Sequence, residues 1–283
     1  MANRIIRYLV SRYLSQLGSS PDKRELPIVI YNDRAGKLIM VEGFYEKKFV
    51  DTIINALAFD ASKYACLDIG ANIGNYTLQF KNIFREVYSF EPQIRTFKLL
   101  SLNTAHLDNV RVYNYGLSND ESQPVFKIST TNVVSGSQYS NDKSYYEESV
   151  TLKVYDAHFN HEIALVKIDV AGNEKNTIQG MKRNLMKYKP VITFDYDINK
   201  QDNYALLELL ESMGYTSFWI RKRHFIERYI PSRKGLIYYM KLVVRFMTPR
   251  VKEGIEQIDL RNAHQDYYLV TTFHPDSQFK LKV

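Results

Sequence analysis

The stretch Cys66-Leu67-Asp68-Ile69-Gly70-Ala71-Asn72-Ile73-Gly74-Asn75, followed by Phe90-Glu91-Pro92, constrains this chain more than any other feature. It predicts an apolar strand, a glycine turn, a helix, a second strand, and an acid at that strand's carboxyl end. A nucleoside-containing cofactor needs that order. Glycine at 70 and 74 lets the backbone approach a ligand and lets the next helix pack closely on the sheet. Glu91 follows Asp68 at the roughly 20-residue interval that sets a carboxylate against ribose hydroxyls. A dinucleotide site instead reads Gly-x-Gly-x-x-Gly and cradles a pyrophosphate. Here Asp68-x-Gly70-x-x-x-Gly74 carries an acid where phosphate would be repelled, which suits a cationic, amine-bearing ligand such as S-adenosylmethionine.

The rest of the chain extends that unit. Apolar runs at 65–69, 86–90, 110–115, 164–170, 190–194 and 215–220 alternate with helical patterns, and Tyr267–Thr272 makes a last strand. Such alternation predicts βαβ units and a mostly parallel sheet covered by helices on both faces. With 283 residues, 45% of them hydrophobic, there is material for one sizeable core. Residues 1–45 read as an N-terminal helix and a hairpin (28–31 with 37–41), and residues 46–283 as the main domain. Two segments break the rhythm. Residues 118–162 hold strand-like runs at 124–128 and 150–155 around a long polar loop, expected to be a substrate-side cover because loops of that length are usually functional. Residues 221–262 carry 11 Lys and Arg against 4 Asp and Glu, which accounts for the chain's whole formal charge of +7. The basicity is therefore local and does not imply general nucleic-acid affinity.

No run is long and apolar enough to span a bilayer, and arginines interrupt the N-terminal segment every few positions. The lone Cys66 excludes an intramolecular disulfide. A cytoplasmic protein is expected. Within the basic segment, Leu236–Met240 and Leu242–Phe246 are interleaved with Lys241, Arg245 and Arg250. That pattern predicts an amphipathic basic helix. It could rest on an anionic membrane, grip a charged glycan, pair with the N-terminal helix in a homo-oligomer, or simply present a solvated face.

Four blocks resemble the FkbM-type methyltransferases. They are Leu67–Gly74; Phe90-Glu91-Pro92 with Asn103; Gly116-Leu117-Ser118-Asn119; and Val166-Lys167-Ile168-Asp169-Val170-Ala171-Gly172-Asn173-Glu174 leading to Gly180. The likeness covers about residues 40 to 220 and the final strand. It implies a class I Rossmann-like fold, S-adenosylmethionine as donor, and O-methylation of hydroxyls on sugars or other natural products. Asp68, Gly70, Ala71, Asn72, Gly74, Asn75, Tyr76, Glu91 and Pro92 would then line the cofactor, with Leu117 and Ser118 near the adenine. One position departs from the pattern: the family usually carries Glu where this chain has Ala171. An active-site substitution, a natural variant in which Asp169 and Glu174 suffice, and a non-catalytic cofactor binder all remain open.

A sugar hydroxyl is a poor nucleophile, so a carboxylate base would help by roughly 10²–10⁴-fold. Asp169 is the first candidate, since it ends a strand where α/β ligands bind. Lys167 shares its face, and Asp195 and Asp197 end the next strand. With Asp169 these two could form an oxygen site for magnesium, or could be solvated loop acids. His158 and His161 lie in the cover. An RNA ribose 2′-O-methyltransferase is the alternative enzyme, although a Lys-Asp-Lys-Glu set is missing. The chain also lacks an Asn-Pro-Pro-Tyr motif for base amines, zinc-spaced cysteines and a phosphate-binding Walker loop.

Overall fold

The computed structural model describes residues 28–29, 39, 43–129, 145–197, 202–221, 254–262 and 267–282. The expected N-terminal helix, most of the 28–41 hairpin and the basic helix within 221–262 lie outside these residues.

In chain order the elements are α1 (Lys47–Ala56), β1 (Ala65–Ile69), α2 (Asn75–Phe80), β2 (Glu86–Phe90), α3 (Ile94–Thr104), β3 (Val110–Tyr113) and β4 (Gly116–Leu117). There follow β5 (Val125–Ser129), β6 (Tyr145–Ser149), β7 (Leu152–Lys153), α4 (Tyr155–His158), β8 (Ile163–Ile168), α5 (Glu174–Gly180) and α6 (Lys182–Tyr188). The chain then forms β9 (Val191–Asp197), α7 (Asp202–Ser212), β10 (Phe218–Arg221), β11 (Ile255–Ile258) and β12 (Tyr267–Thr272).

Eight strands form one sheet in the order β11-β10-β12-β9-β8-β1-β2-β3. The five from β9 to β3 run parallel, and β12 inserts antiparallel between β9 and β10. Because parallel strands need crossovers, helices cover both faces, and the central strands are buried throughout. All five residues of β1 and all six of β8 are buried. Their alternation divides the core. Leu67, Ile69, Val166 and Ile168 pack on one face with Phe194, Leu206 and Tyr155. Cys66, Ala164 and Leu165 pack on the other with Phe49, Ile53, Phe80 and Phe84.

The chain leaves β1 toward β2 and β3, then returns on β1's other side as β8. The sheet therefore changes winding direction between β1 and β8, and the carboxyl ends of these strands are where the crevice of an open α/β sheet takes its ligand.

The 118–162 segment differs from its expected form. The run expected at 150–155 holds β7, paired parallel with β4, and a strand not expected, Tyr145–Ser149, pairs with β5 from Val125↔Ser149 to Ser129↔Tyr145. The hairpin stands outside the main sheet, so β6 alternates exposed and half-buried residues and lacks an apolar face. It leans on the start of α3, where Ile94 N donates to Glu148 Oε1 at 2.7 Å and the Arg95 guanidinium lies 4.2 Å from the Tyr146 ring centroid. Among the described residues, no helix is long and apolar enough to cross a membrane.

Candidate active site

The turn after β1 forms one wall of the crevice. Gly70 N and Ala71 N both donate to Phe90 O, at 2.9 and 3.0 Å, which ties the turn to the end of β2. Gly70 has φ +74° and faces the β8 terminus so closely that a Cβ would lie 1.9 Å from the Asp169 carbonyl oxygen. Only glycine fits there. Asn72 also takes a positive φ, 54°, and its side chain accepts from Ile73 N at 2.7 Å, a local bond that helps asparagine tolerate that region. At Gly74, φ +96°, a Cβ would come within 3.0 Å of Leu100.

Glu91 lies on the far side of the turn and is 5% exposed. Its Oε2 accepts from Asn72 N at 2.9 Å, and its Oε1 accepts from Gln93 N and Thr96 Oγ1, each at 2.9 Å. Burial raises its pKa to about 7, and these hydrogen bonds only partly offset that. The raised value has a consequence for stability. Between an unfolded value of about 4.3 and 7 the native state binds the extra proton, so stability falls as pH rises through that window. The urea midpoint of the wild type should decline from pH 5 to pH 8 relative to Glu91→Gln. Parallel profiles would contradict the assignment.

Beneath the turn, register builds a polar row across a single face of the sheet. Asp68 is opposite Ser89 on one side and Lys167 on the other, Lys167 is opposite Thr193, and Thr193 is opposite Thr271. All five are buried. Lys167 Nζ lies 3.2 Å from Asp68 Oδ1 and 3.6 Å from Asp169 Oδ2, and donates to Gly70 O at 3.2 Å. Asp68 Oδ1 has no well-aligned hydrogen bond, so the ammonium is its partner by charge and proximity. Asp68 Oδ2 accepts from Thr77 Oγ1 at 2.7 Å, and Thr77 Oγ1 meets Ser89 Oγ at 2.8 Å. Burial alone would depress the Lys167 ammonium. The carboxylates of Asp68, Asp169 and Asp195 outweigh it and hold the lysine above its usual value, so it stays charged. A fully buried, paired ammonium of this kind is no proton acceptor.

Asp169 closes β8, its N–H donating to Ile69 O at 3.0 Å, and its side chain is 46% exposed. It is thus anchored to the lysine while open to the crevice. Asp195 is half-buried on neighbouring β9 and its charge is felt at Lys167. Among the described residues, no three His, Cys, Asp or Glu side chains converge as a metal would require. The side chain of Asp197 lies outside those residues. The cation that Asp169 faces is the ammonium of Lys167.

Other candidates are drawn elsewhere. Ala171, φ 52°, and Gly172, φ 107°, turn the chain after Asp169, and Glu174 is buried with its Oε1 accepting from Gly172 N at 3.0 Å. That bond ties the carboxylate to the start of α5. Asn75 exchanges bonds with the Tyr45 backbone at 2.9 and 3.0 Å. Pro92 is half-buried directly after Glu91, and its carbonyl, with that of Glu91, accepts from Asn114 Nδ2. Leu117 and Ser118 are buried against α5: Leu117 O accepts from Thr177 Oγ1 at 2.9 Å, and a Cβ at Gly180 would meet Ser118 O at 1.9 Å. His158 pairs with Glu121 at 2.7 Å, while His161 stacks near Tyr88 and precedes β8, at the opposite end of the strands from Asp169. Thr77, Ser89, Thr193 and Glu46, which no sequence motif marks, also touch this network or its supports.

The residues present fit a nucleoside. Among the described residues Glu91 Oε2 takes one bond, from Asn72 N, which leaves acceptor capacity for a vicinal diol, and Gly70 and Gly74 in the turn beside it carry no side chain.

The model of the methyltransferase FkbM domain matches residues 68–217. The chain is similar to the crystal structure of methyltransferase FkbM from Methylobacillus flagellatus KT, with 11% identity, TM-score 0.44, and coverage of 96% of this chain and 60% of that one. It is also similar to a Streptococcus mutans protein described as a methyltransferase, solved in complex with SAH (10% identity, TM-score 0.43, covering 79% and 93% of the two chains). An rRNA methylase from Streptococcus thermophilus gives 9% identity, TM-score 0.42, and the same two coverages, 79% and 93%. This chain spans 60% of the length of the first of these structures. No curated protein matches.

Proposed function

Since the chain belongs to the FkbM methyltransferase family, we propose that it transfers a methyl group from S-adenosylmethionine to a hydroxyl of a sugar, glycan or sugar-bearing metabolite. The observation that carries this reading is the placement of Glu91 and Asp169 on opposite sides of the Gly70 turn, at the point where the sheet reverses its winding. One side suits a ribose and the other a reacting hydroxyl.

When bound, S-adenosylmethionine supplies an electrophilic methyl group on a cationic sulfonium. The chain's own residues do the rest. Glu91 holds the ribose hydroxyls, charge-assisted when ionised. The Gly70 turn brings backbone rather than side chain against the ligand. Asp169 accepts the proton of the acceptor hydroxyl, and Lys167 keeps that carboxylate aimed at the crevice. Alignment and exclusion of water supply much of the remaining rate. Ala171 contributes no carboxylate, which leaves Asp169 as the base.

The test uses S-adenosylmethionine labelled in its methyl group with neutral oligosaccharides, phosphorylated sugars and RNA offered in parallel. Label in a sugar ether that survives alkali is expected. Label confined to RNA, or to none of the three, would contradict the proposal.

A further inference from the structure

Tyr76 is buried at the start of α2, and its ring is a platform for the ammonium at the centre of the site, with Lys167 Nζ 4.6 Å from the ring centroid. Its hydroxyl donates to Glu46 Oε2 at 2.5 Å. Glu46 stands at the head of α1 with φ 55°, outside the stretch matched by the family model. Burial, then the Glu46 charge, pushes the Tyr76 phenol well up, so it stays protonated and remains the donor. The ring is therefore fixed at both ends, by the helix that carries it and by Glu46.

We propose that Tyr76 is a positioning residue for the donor turn: its ring face, steadied by Glu46, holds the Lys167 ammonium against Gly70 O and Asp169. The inference rests on the reading of the crevice as the S-adenosylmethionine site. The ammonium has several tasks at once. It neutralises Asp68, donates to the carbonyl of Gly70 and orients Asp169. A flexible lysine side chain does not hold such a position unaided. The face of a desolvated aromatic ring attracts a cation electrostatically and limits where it can settle. Loss of the ring should thus loosen the Gly70 turn even where the fold survives. A purely structural tyrosine would affect stability and leave the affinity of the folded protein unchanged.

The experiment measures S-adenosylmethionine binding by calorimetry in the full chain. Tyr76→Phe, which keeps the ring, should stay within a few-fold of wild type, whereas Tyr76→Leu should lose roughly five- to thirty-fold. Because the leucine variant leaves a cavity and could unfold, phenylalanine rings carrying one, two or three fluorines are placed at position 76 as well. They keep the shape and progressively weaken the negative face. Affinity that falls stepwise along this series supports the proposal. A flat series, or a Tyr76→Phe loss as large as that of Tyr76→Leu, overturns it while leaving the functional reading standing. No binding by the wild type would sink the functional reading and this one together.

Discussion

Replacing Lys167 with methionine is expected to destabilise the fold by about 3–5 kcal/mol, the range for removing one partner of a buried ion pair. Lys167 is 2% exposed and Asp68 is wholly buried beside it, so water cannot replace the lost ammonium. Among the described residues, the carboxylate of Asp68 would keep the Thr77 hydroxyl as its one donor. Asp68→Asn added to Lys167→Met removes the stranded charge and should recover much of the loss, since replacing both members of a buried pair is often nearly neutral. Urea unfolding of the two single variants and the double variant measures this directly. A Lys167→Met loss below about 1 kcal/mol, within the range for exposed pairs, would show that the pair is solvated and the polar row misread.

Asp169→Asn should lower methyl transfer by roughly 10²–10⁴-fold, the usual contribution of a positioned base. Asparagine keeps the shape and one acceptor oxygen, so S-adenosylmethionine affinity should scarcely change. The half-exposed carboxylate lies at the mouth of the crevice and not under the turn, which separates its role from the structural role of Asp68. Turnover close to wild type in Asp169→Asn, with the fold intact, would move the base elsewhere, and half-buried Asp195 is the next residue to change.

Local pattern and register contributed differently to what the sequence could reveal. Strands β1 and β8 lie where apolar runs placed them, because strands buried on both faces are apolar along most of their length, whereas β2 is half-buried at Glu86 and Tyr88 and β9 continues past its apolar run to Asp197. The 110–115 run ends early, at Tyr113, where the Asn114 side chain turns back to the Glu91 and Pro92 carbonyls. Strand β6 escaped notice because a hairpin outside the main sheet needs no apolar face, and β11 because it is short and lies within the basic segment. At the site, Asp68, Gly70, Glu91 and Asp169 were legible from their places at strand ends and turns. The polar row was not. Ser89, Asp68, Lys167 and Thr193 are each one polar residue in an apolar run, and only strand pairing sets them side by side. The Glu46–Tyr76 bond likewise joins residues 30 apart, beyond any local pattern. An acid after a strand end can face a ligand or brace the following helix, and Glu174 accepts from Gly172 N, a bond that no sequence pattern shows.

On the proposed function, S-adenosylmethionine binds between β1 and β8 with its ribose on Glu91. Calorimetric titration of S-adenosylmethionine into the wild type and Glu91→Ala, with unfolding midpoints taken alongside, tests it most directly. Binding by the wild type should strengthen as pH rises through about 7, where Glu91 ionises. The folded Glu91→Ala variant should lose roughly 1.5–3 kcal/mol for each charged hydrogen bond removed. Equal affinity in the two proteins, or no binding by the wild type, would contradict this binding mode.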